Sequence, residues 1–443
     1  RRALEKYDEE EIGRLFMSRV NELSTSLCDI ESDFGETHKI YTKEWSFLSS
    51  WSNVDFLPQR IQVASKNGDE AVNVDDQRGT AIYTYVGQSQ IPSEVARSAI
   101  GHIREAAKQK KQITLPIIVV LLFDENGELG RSLAEYSVLD SFLENEAEKS
   151  KYESLVGSHR DKLEKDIESR INSLLLERRY VTGLGENENG LRLSSIATDL
   201  FSKIYSSPID FPFDGFGTRG GNAANTCFDL TRKLLNGVLD YQNVMAMPQK
   251  EKNRACQVLK DSWGIFLHDG SVSNTPKHPV LYGLFQKWQA ILERDERIPI
   301  LTILREICSP PYGANIASAG LALGVFLSPR KSRIVIEQQD GTQRSVQDSF
   351  GDSVFRGKYL NFSKLEGLFL RLIGKALGEW EALLDKWELS VTHVDKKSYF
   401  HQAVELQKRI PLPPQLTYRY EVLQNSAKQS INQLMKYEDD LSK

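Results

Sequence analysis

The period of apolar and polar positions changes along this chain, and each change predicts an element. Over residues 2–30 Ile12, Leu15, Phe16, Val20, Leu23 and Leu27 recur at helical spacing, so an amphipathic helix opens the chain. Residues 32–77 hold no steady period and read as irregular, with Trp45, Phe47, Trp51 and Phe56 as a small core or docking surface. Residues 80–86 are β-branched and aromatic, which predicts a strand. Residues 91–108 follow as a helix, with Pro92 suited to its first turn. Residues 114–123 are apolar on both faces, as in the middle of a parallel sheet. Strand, helix and buried strand make a βαβ unit with a right-handed crossover.

Helical spacing then dominates. Helices are predicted at 131–143 and, long and charged, at 144–180, where Gly157 is a candidate kink and the charges around Arg170 form a solvated face. Residues 183–190 read as a loop, 191–205 as a helix, and 206–221 as an irregular Pro/Gly/Phe segment. Further helices are expected at 223–241, 249–263, 278–294 and 300–308. Ser309-Pro310-Pro311-Tyr312-Gly313 stops the last of these, since neither proline donates to a helical ladder. A very apolar helix at 314–327 and a hairpin follow, with strands 333–338 and 342–346 around a two-residue Asp340-Gly341 turn. That order is the order of a winged helix-turn-helix. A long helix at 365–387, a stiff Pro-rich spacer at 410–415 and a helix at 419–441 complete the chain. The fold class is therefore mixed and mainly α-helical, with an N-terminal α/β portion before a helical array that holds a winged-helix-like unit. The expected divisions are 1–145, 146–295, 296–360 and 361–443.

Composition narrows the function. A formal net charge of −5 excludes general affinity for nucleic acid, so any DNA contact needs a local basic patch. Cys28, Cys227, Cys256 and Cys308 form no C-x-x-C pair, which fits reduced thiols in a cytoplasmic protein better than a zinc site or a disulfide frame. The best apolar run, 113–123, is too short to span a bilayer. The chain opens at Arg1-Arg2 in a charged helical pattern, and a piece of a longer protein is expected.

Candidate chemistry is sparse. Asp124-Glu125 closes the apolar strand as a Walker B pair does, where Asp holds Mg²⁺ and Glu orients water. These two are the weak catalytic candidates, because the chain has no G-x-x-x-x-G-K-[ST] cradle and Asp-Glu-Asn-Gly is a good turn in itself. Residues 215–220 match G-x-G-x-x-G but follow two prolines instead of a strand; a loop is expected there, with Arg219 a weak anion holder. Lys108, Lys110 and Lys111 suit a helix C-terminus. Arg178-Arg179 is either a C-terminal cation pair or an arginine finger. His268, Asp269 and His278 form no nucleophile or metal set.

The wing has its own logic. A helix that reads DNA keeps a polar face. The helix at 314–327 has Ile316, Leu321, Leu323, Val325, Phe326 and Leu327 nearly all round. Burying six such side chains contributes about 10 kcal/mol before entropy. That helix is therefore core. The basic residues Arg330, Lys331, Arg333 and Arg344 sit on the hairpin, with Arg356 and Lys358 soon after. They suit a phosphate grip, and equally an edge hairpin protected by charge.

The Pro310-Pro311-Tyr312-Gly313 turn, between an amphipathic helix and an apolar helix with its Asp-Gly hairpin, resembles the Pro-Pro-Tyr-Gly region of the BrxC/PglY-type large P-loop ATPases of BREX phage-defence systems. The earlier order of strands and helices is similar as a loose pattern over residues 80–360. The resemblance implies a P-loop upstream, with ATP and Mg²⁺ bound by the longer parent and none in this chain. It also implies defence-system partners, a larger assembly and action on DNA. No catalytic residue carries over, and the four turn residues are read as structural: the prolines end one helix, Gly313 permits the turn, and Tyr312 wedges between helices. The expected function is a non-catalytic segment of such an ATPase, serving assembly and DNA contact. The alternatives are an independent nucleotide hydrolase using Asp124 and Glu125, and a helical protein–protein adaptor.

Overall fold

Residues 117–123 are apolar throughout because helices cover both faces of the strand they form. The computed structural model describes residues 7–22, 38–40, 43–70, 77–143, 146–187, 193–209, 221–295, 297–314, 316–350, 354–356 and 359–441. The chain divides into two compact units, residues 1–206 and 207–443. The division falls at none of the expected boundaries at 145, 295 and 360.

The first unit runs α1 (Glu9–Glu22), β1 (His38–Ile40), β2 (Lys43–Asn53), α2 (Leu57–Glu70), β3 (Gln77–Val86), α3 (Pro92–Gln109), β4 (Ile117–Phe123), α4 (Glu128–Leu143), α5 (Glu146–Leu176), β5 (Arg179–Thr182), β6 (Gly185–Asn187) and α6 (Leu193–Ile204). The sheet order is β1-β2-β3-β4-β5-β6, with β2, β3 and β4 parallel and the other pairings antiparallel. Ile117, Val119 and Leu121 pack with Ile61 of α2 and Ile103 of α3. Ile118, Val120 and Leu122 pack with Phe16 of α1, Leu133 of α4, Ile171 of α5 and Phe201 of α6. This is an α/β/α sandwich.

Several sequence expectations change here. The predicted opening helix begins only at Glu9, because Asp8 Oδ1 accepts from Glu11 N at 2.9 Å and Asp8 N donates to Glu11 Oε2 at 3.3 Å, a reciprocal cap; residues 2–6 and 23–30 lie outside the described residues. The segment read as irregular contains β2 and α2; Trp51 and Tyr83 pack side by side across β2 and β3, their ring centroids 4.8 Å apart. The long charged helix ends at Leu176, and Arg179–Thr182 with Gly185–Asn187 forms a hairpin in place of the expected helix end and loop. Helix α5 runs unbroken through Gly157. It belongs to the first unit, since Ile167, Ile171 and Leu175 lie in its core.

The second unit runs α7 (Gly221–Leu235), α8 (Tyr241–Met245), α9 (Gln249–Ala255) passing into a π-helix (Cys256–Ser262), α10 (Pro279–Asp295), β7 (Arg297–Pro299), α11 (Ile300–Cys308), α12 (Ile316–Leu327), β8 (Ile334–Glu337), β9 (Gln343–Ser345), α13 (Val346–Ser349), β10 (Phe355–Arg356), β11 (Tyr359–Leu360), β12 (Phe369–Leu372), α14 (Gly374–Glu388), α15 (His393–Arg409) and α16 (Thr417–Leu441). The antiparallel sheet β7-β12-β8-β9 packs on α10 and α11, and its strands follow the winged-helix order. The predicted helix at 365–387 is therefore split: residues 369–372 are one of the two central strands of that sheet, and the helix begins at Gly374. The boundary expected at 360 would cut the winged unit. Helix α15 had no counterpart in the sequence reading; with α14 and α16 it buries Trp380, Trp387, Leu406 and Tyr420 around one core that includes Val335 of β8.

Glu337 ties the sheet together. It is 3% exposed, 3.1 Å from Arg297 Nη1 of β7, paired with Arg371 of β12, and accepts from Gln343 Nε2 of β9 at 3.3 Å. One carboxylate thus holds partners on every other strand of the sheet. No helix among the described residues is long and apolar enough to cross a membrane.

Candidate functional site

Two places bring the predicted residues together, one in each unit. In the first, β4 ends at Phe123, and the chain turns through Asp124-Glu125-Asn126-Gly127 into α4, with Gly127 at φ +62°. Asp124 is 4% exposed. Its Oδ2 accepts from Gly130 N at 2.8 Å and from the Tyr85 hydroxyl at 3.0 Å, and its Oδ1 accepts from Leu129 N at 3.2 Å. The carboxylate caps the N-terminus of α4. Burial, then the Asp124 carboxylate, pushes the Tyr85 phenol well above its usual range. Glu125 is exposed at the rim.

Because β5 runs antiparallel to β4, its first residues lie at the same edge, with Arg179 opposite Leu121. Asp124-Glu125 and Arg178-Arg179 therefore line one cleft of about 540 Å³, together with Arg170 and Leu174 of α5 and Glu177 just past its end. Arg178 donates to the Tyr180 hydroxyl and to Leu175 O, and its guanidinium lies 5.5 Å from the Tyr180 ring centroid. Arg179 lies 4.9 Å from the Phe123 centroid and 3.9 Å from Glu186. Neither side chain projects as a finger; both are folded into the cleft wall. Arg170 pairs with Asp166 at 2.7 Å and with Glu128. The hydrogen bond from Arg170 holds the Asp166 carboxyl below its usual range, helped by Ser132. The charges around Arg170 suit a solvated face by pattern alone; packing of Ile167, Ile171 and Leu175 against β4 brings Arg170 beside the strand end.

In the second unit, Ser309 O accepts from Tyr312 N at 2.9 Å and from Gly313 N at 3.0 Å, and Ile307 O accepts from Ala314 N at 2.9 Å. Gly313 has φ +61°, a conformation that favours glycine. Pro310, Pro311 and Tyr312 are half-buried. Helix α12 is sealed: Leu321, Leu323, Val325, Phe326 and Leu327 are all 0% exposed. Helix α7 lies directly on it, with Thr231 and Leu234 over Gly320 and Gly324. Phe326 meets Phe285 and Trp288 of α10 with centroids 5.3 Å apart.

The basic residues then separate. Arg330 is 9% exposed, so it is not a DNA contact. It donates to Phe326 O and Gln289 Oε1 at 2.9 Å and to Asn274 O at 3.3 Å, and stacks 4.3 Å from the Phe326 centroid. It closes the carbonyl end of α12, where a cation is favoured. Desolvation brings its guanidinium down to about 10, still protonated at neutral pH. Lys331, Arg333 and Arg344 are exposed, with Lys331 Nζ donating to Gly237 O at 2.6 Å. The hairpin loop has three residues and not two: Gln338 N donates to Thr342 O, Gly341 N donates to Gln338 O, and Gly341 sits at φ +86°.

The other sequence candidates carry little. The glycine motif at 215–220, Lys358 and Cys28 lie outside the described residues. His278 Nδ1 accepts from Leu281 N at 3.5 Å at the start of α10, and Asp269 caps Ser271 at 2.9 Å. Cys227 is buried, and burial pushes its thiol up to about 12. Among the described residues no three His, Cys, Asp or Glu side chains gather as a metal site. Comparison with protein-family models, with curated proteins and with solved structures returns no match.

Proposed function

We propose that this chain is a non-catalytic segment of a large P-loop ATPase of the BrxC/PglY kind acting in anti-phage defence. It serves assembly and touches duplex DNA through the phosphate backbone. ATP and Mg²⁺ belong to the longer parent, and other defence-system proteins are its partners. The observation that carries the reading is the enclosure of α12, the helix that would read a major groove in a winged unit. Its 0% exposed side chains are committed to packing, and Lys331, Arg333 and Arg344 are exposed beside it, on the hairpin and its approach. A basic wing grips phosphates without reading bases. The commitment of Asp124 to the α4 cap supports a scaffold over an independent hydrolase.

Fluorescence anisotropy with a duplex of arbitrary sequence tests this. Weak binding that falls steeply with salt is expected. The triple variant Lys331→Ala, Arg333→Ala, Arg344→Ala should bind more weakly on every sequence, with a salt slope shallower by about one per lost phosphate contact. Unchanged affinity in the triple variant would remove the wing from the account.

A further inference from the structure

The cleft at the end of β4 is assigned no ligand in the reading above, and what it binds does not depend on DNA contact by the wing. Ligands of open α/β sheets sit outside the carboxyl ends of the parallel strands, and small-molecule clefts typically enclose roughly 300–1,000 Å³. This cleft has that position and, at about 540 Å³, that size. Its lining is of three kinds. Arg178 and Arg179 come from one side, oriented by the rings of Tyr180 and Phe123. Glu125, Asn126 and Glu177 come from the rim and are exposed. Phe123, Leu129 and Leu174 supply an apolar floor.

Each kind limits the ligand. The N–H groups of Leu129 and Gly130 are held by Asp124, so an anion here would be gripped by side chains and not by a helix N-terminus. Guanidinium forks match the oxygens of phosphate. Arg170 is already balanced by Asp166 and Glu128, whereas the Arg179 ion pair to Glu186 is long at 3.9 Å. The rim carboxylates repel a bare anion but accept from hydroxyl or amino groups. A simple inorganic anion therefore fits poorly, and a ligand with both a phosphate and a donor-rich body fits well.

We propose that this cleft binds a small phosphorylated compound with a hydroxyl-bearing body, of the nucleoside monophosphate class, its phosphate held by Arg179 and its hydroxyls or amino group by Glu125, Asn126 and Glu177.

Calorimetric titration of the full chain with AMP, ribose 5-phosphate and inorganic phosphate tests it. Saturable binding is expected, tightest for AMP and weakest for inorganic phosphate. Arg179→Gln should weaken AMP by about tenfold or more, the loss of a charged hydrogen bond. Arg179→Lys keeps the charge but not the fork and should weaken AMP less than Arg179→Gln does. Arg97→Gln, on the exposed face of α3, should change nothing. Melting curves of each variant identify any loss of fold, and if Arg179→Gln or Arg179→Lys is unstable the order of affinities of the three compounds for the native chain still decides the proposal. Absence of saturable binding by all three compounds overturns the proposal. So does AMP affinity unaltered by Arg179→Gln, and so does inorganic phosphate binding as tightly as AMP.

Discussion

Gly320 and Gly324 set how closely α7 can approach α12. A Cβ built on Gly324 would lie 2.9 Å from Leu234 Cβ, on a neighbouring helix with no room to retreat. Gly324→Val should therefore lower stability by about 1–3 kcal/mol, the usual cost of overpacking. Gly378 of α14 is the matched control, since an added Cβ there meets nothing within 4 Å. Gly378→Ala should raise stability by about 0.5–1 kcal/mol through helix propensity. Urea melts of the two variants check both signs. Arg330 acts at the same scale: Arg330→Ala should cost about 2–4 kcal/mol from lost charged hydrogen bonds and ring contact, while DNA affinity of the folded protein stays as it was. A drop in affinity without a drop in stability would return Arg330 to the DNA surface. The sequence showed that 314–327 had to be buried, because a helix apolar on all sides has nowhere else to go. It did not show that Arg330 was buried too. Only the fold reveals that a cation three residues past α12 turns back to close that helix.

Among elements, the wing sheet depends on Glu337. Burial alone would raise its carboxyl, but the bonds from Arg371, Gln343 and Arg297 outweigh burial and hold it below the ordinary range. A depressed carboxyl contributes stability above its unfolded-state value and loses it as pH falls through the folded value. The stability gap between the native chain and Glu337→Gln should therefore be steady near neutral pH and shrink on acidification below about 4.5. Chemical denaturation at several pH values measures it, and a gap independent of pH would mean the carboxylate is not what joins the strands. Elements were legible where periodicity was clean: β3, α3, β4, α11 and α12 lie within a few residues of their predicted limits. They were not legible where apolar runs were short. Leu368 to Ile373 suits a helix or a strand by pattern alone, and the pairing of β12 with β7 and β8 decides it. Likewise Arg178-Arg179 read as the end of a helix, because nothing local marks a strand that exists only by pairing with β4.

At the scale of the molecule, the two units use their unusual sequences differently. In the first, the double-faced apolar strand makes a sandwich, and the antiparallel return of β5 assembles a cleft from two motifs far apart in the chain. Neither motif was informative by itself: Asp124 turned out to be a cap, and the arginines were the end of a charged segment until the sheet placed them together. In the second, a helix-turn-helix has its second helix walled in, and the proposed DNA contact falls to the wing. Hydrogen–deuterium exchange with and without duplex DNA measures this assignment most directly. The account expects amides of 316–327 to exchange slowly in both states, with no change on adding DNA, and protection to rise in 331–345. Fast exchange within 316–327, or protection gained there and not in the wing, would contradict it.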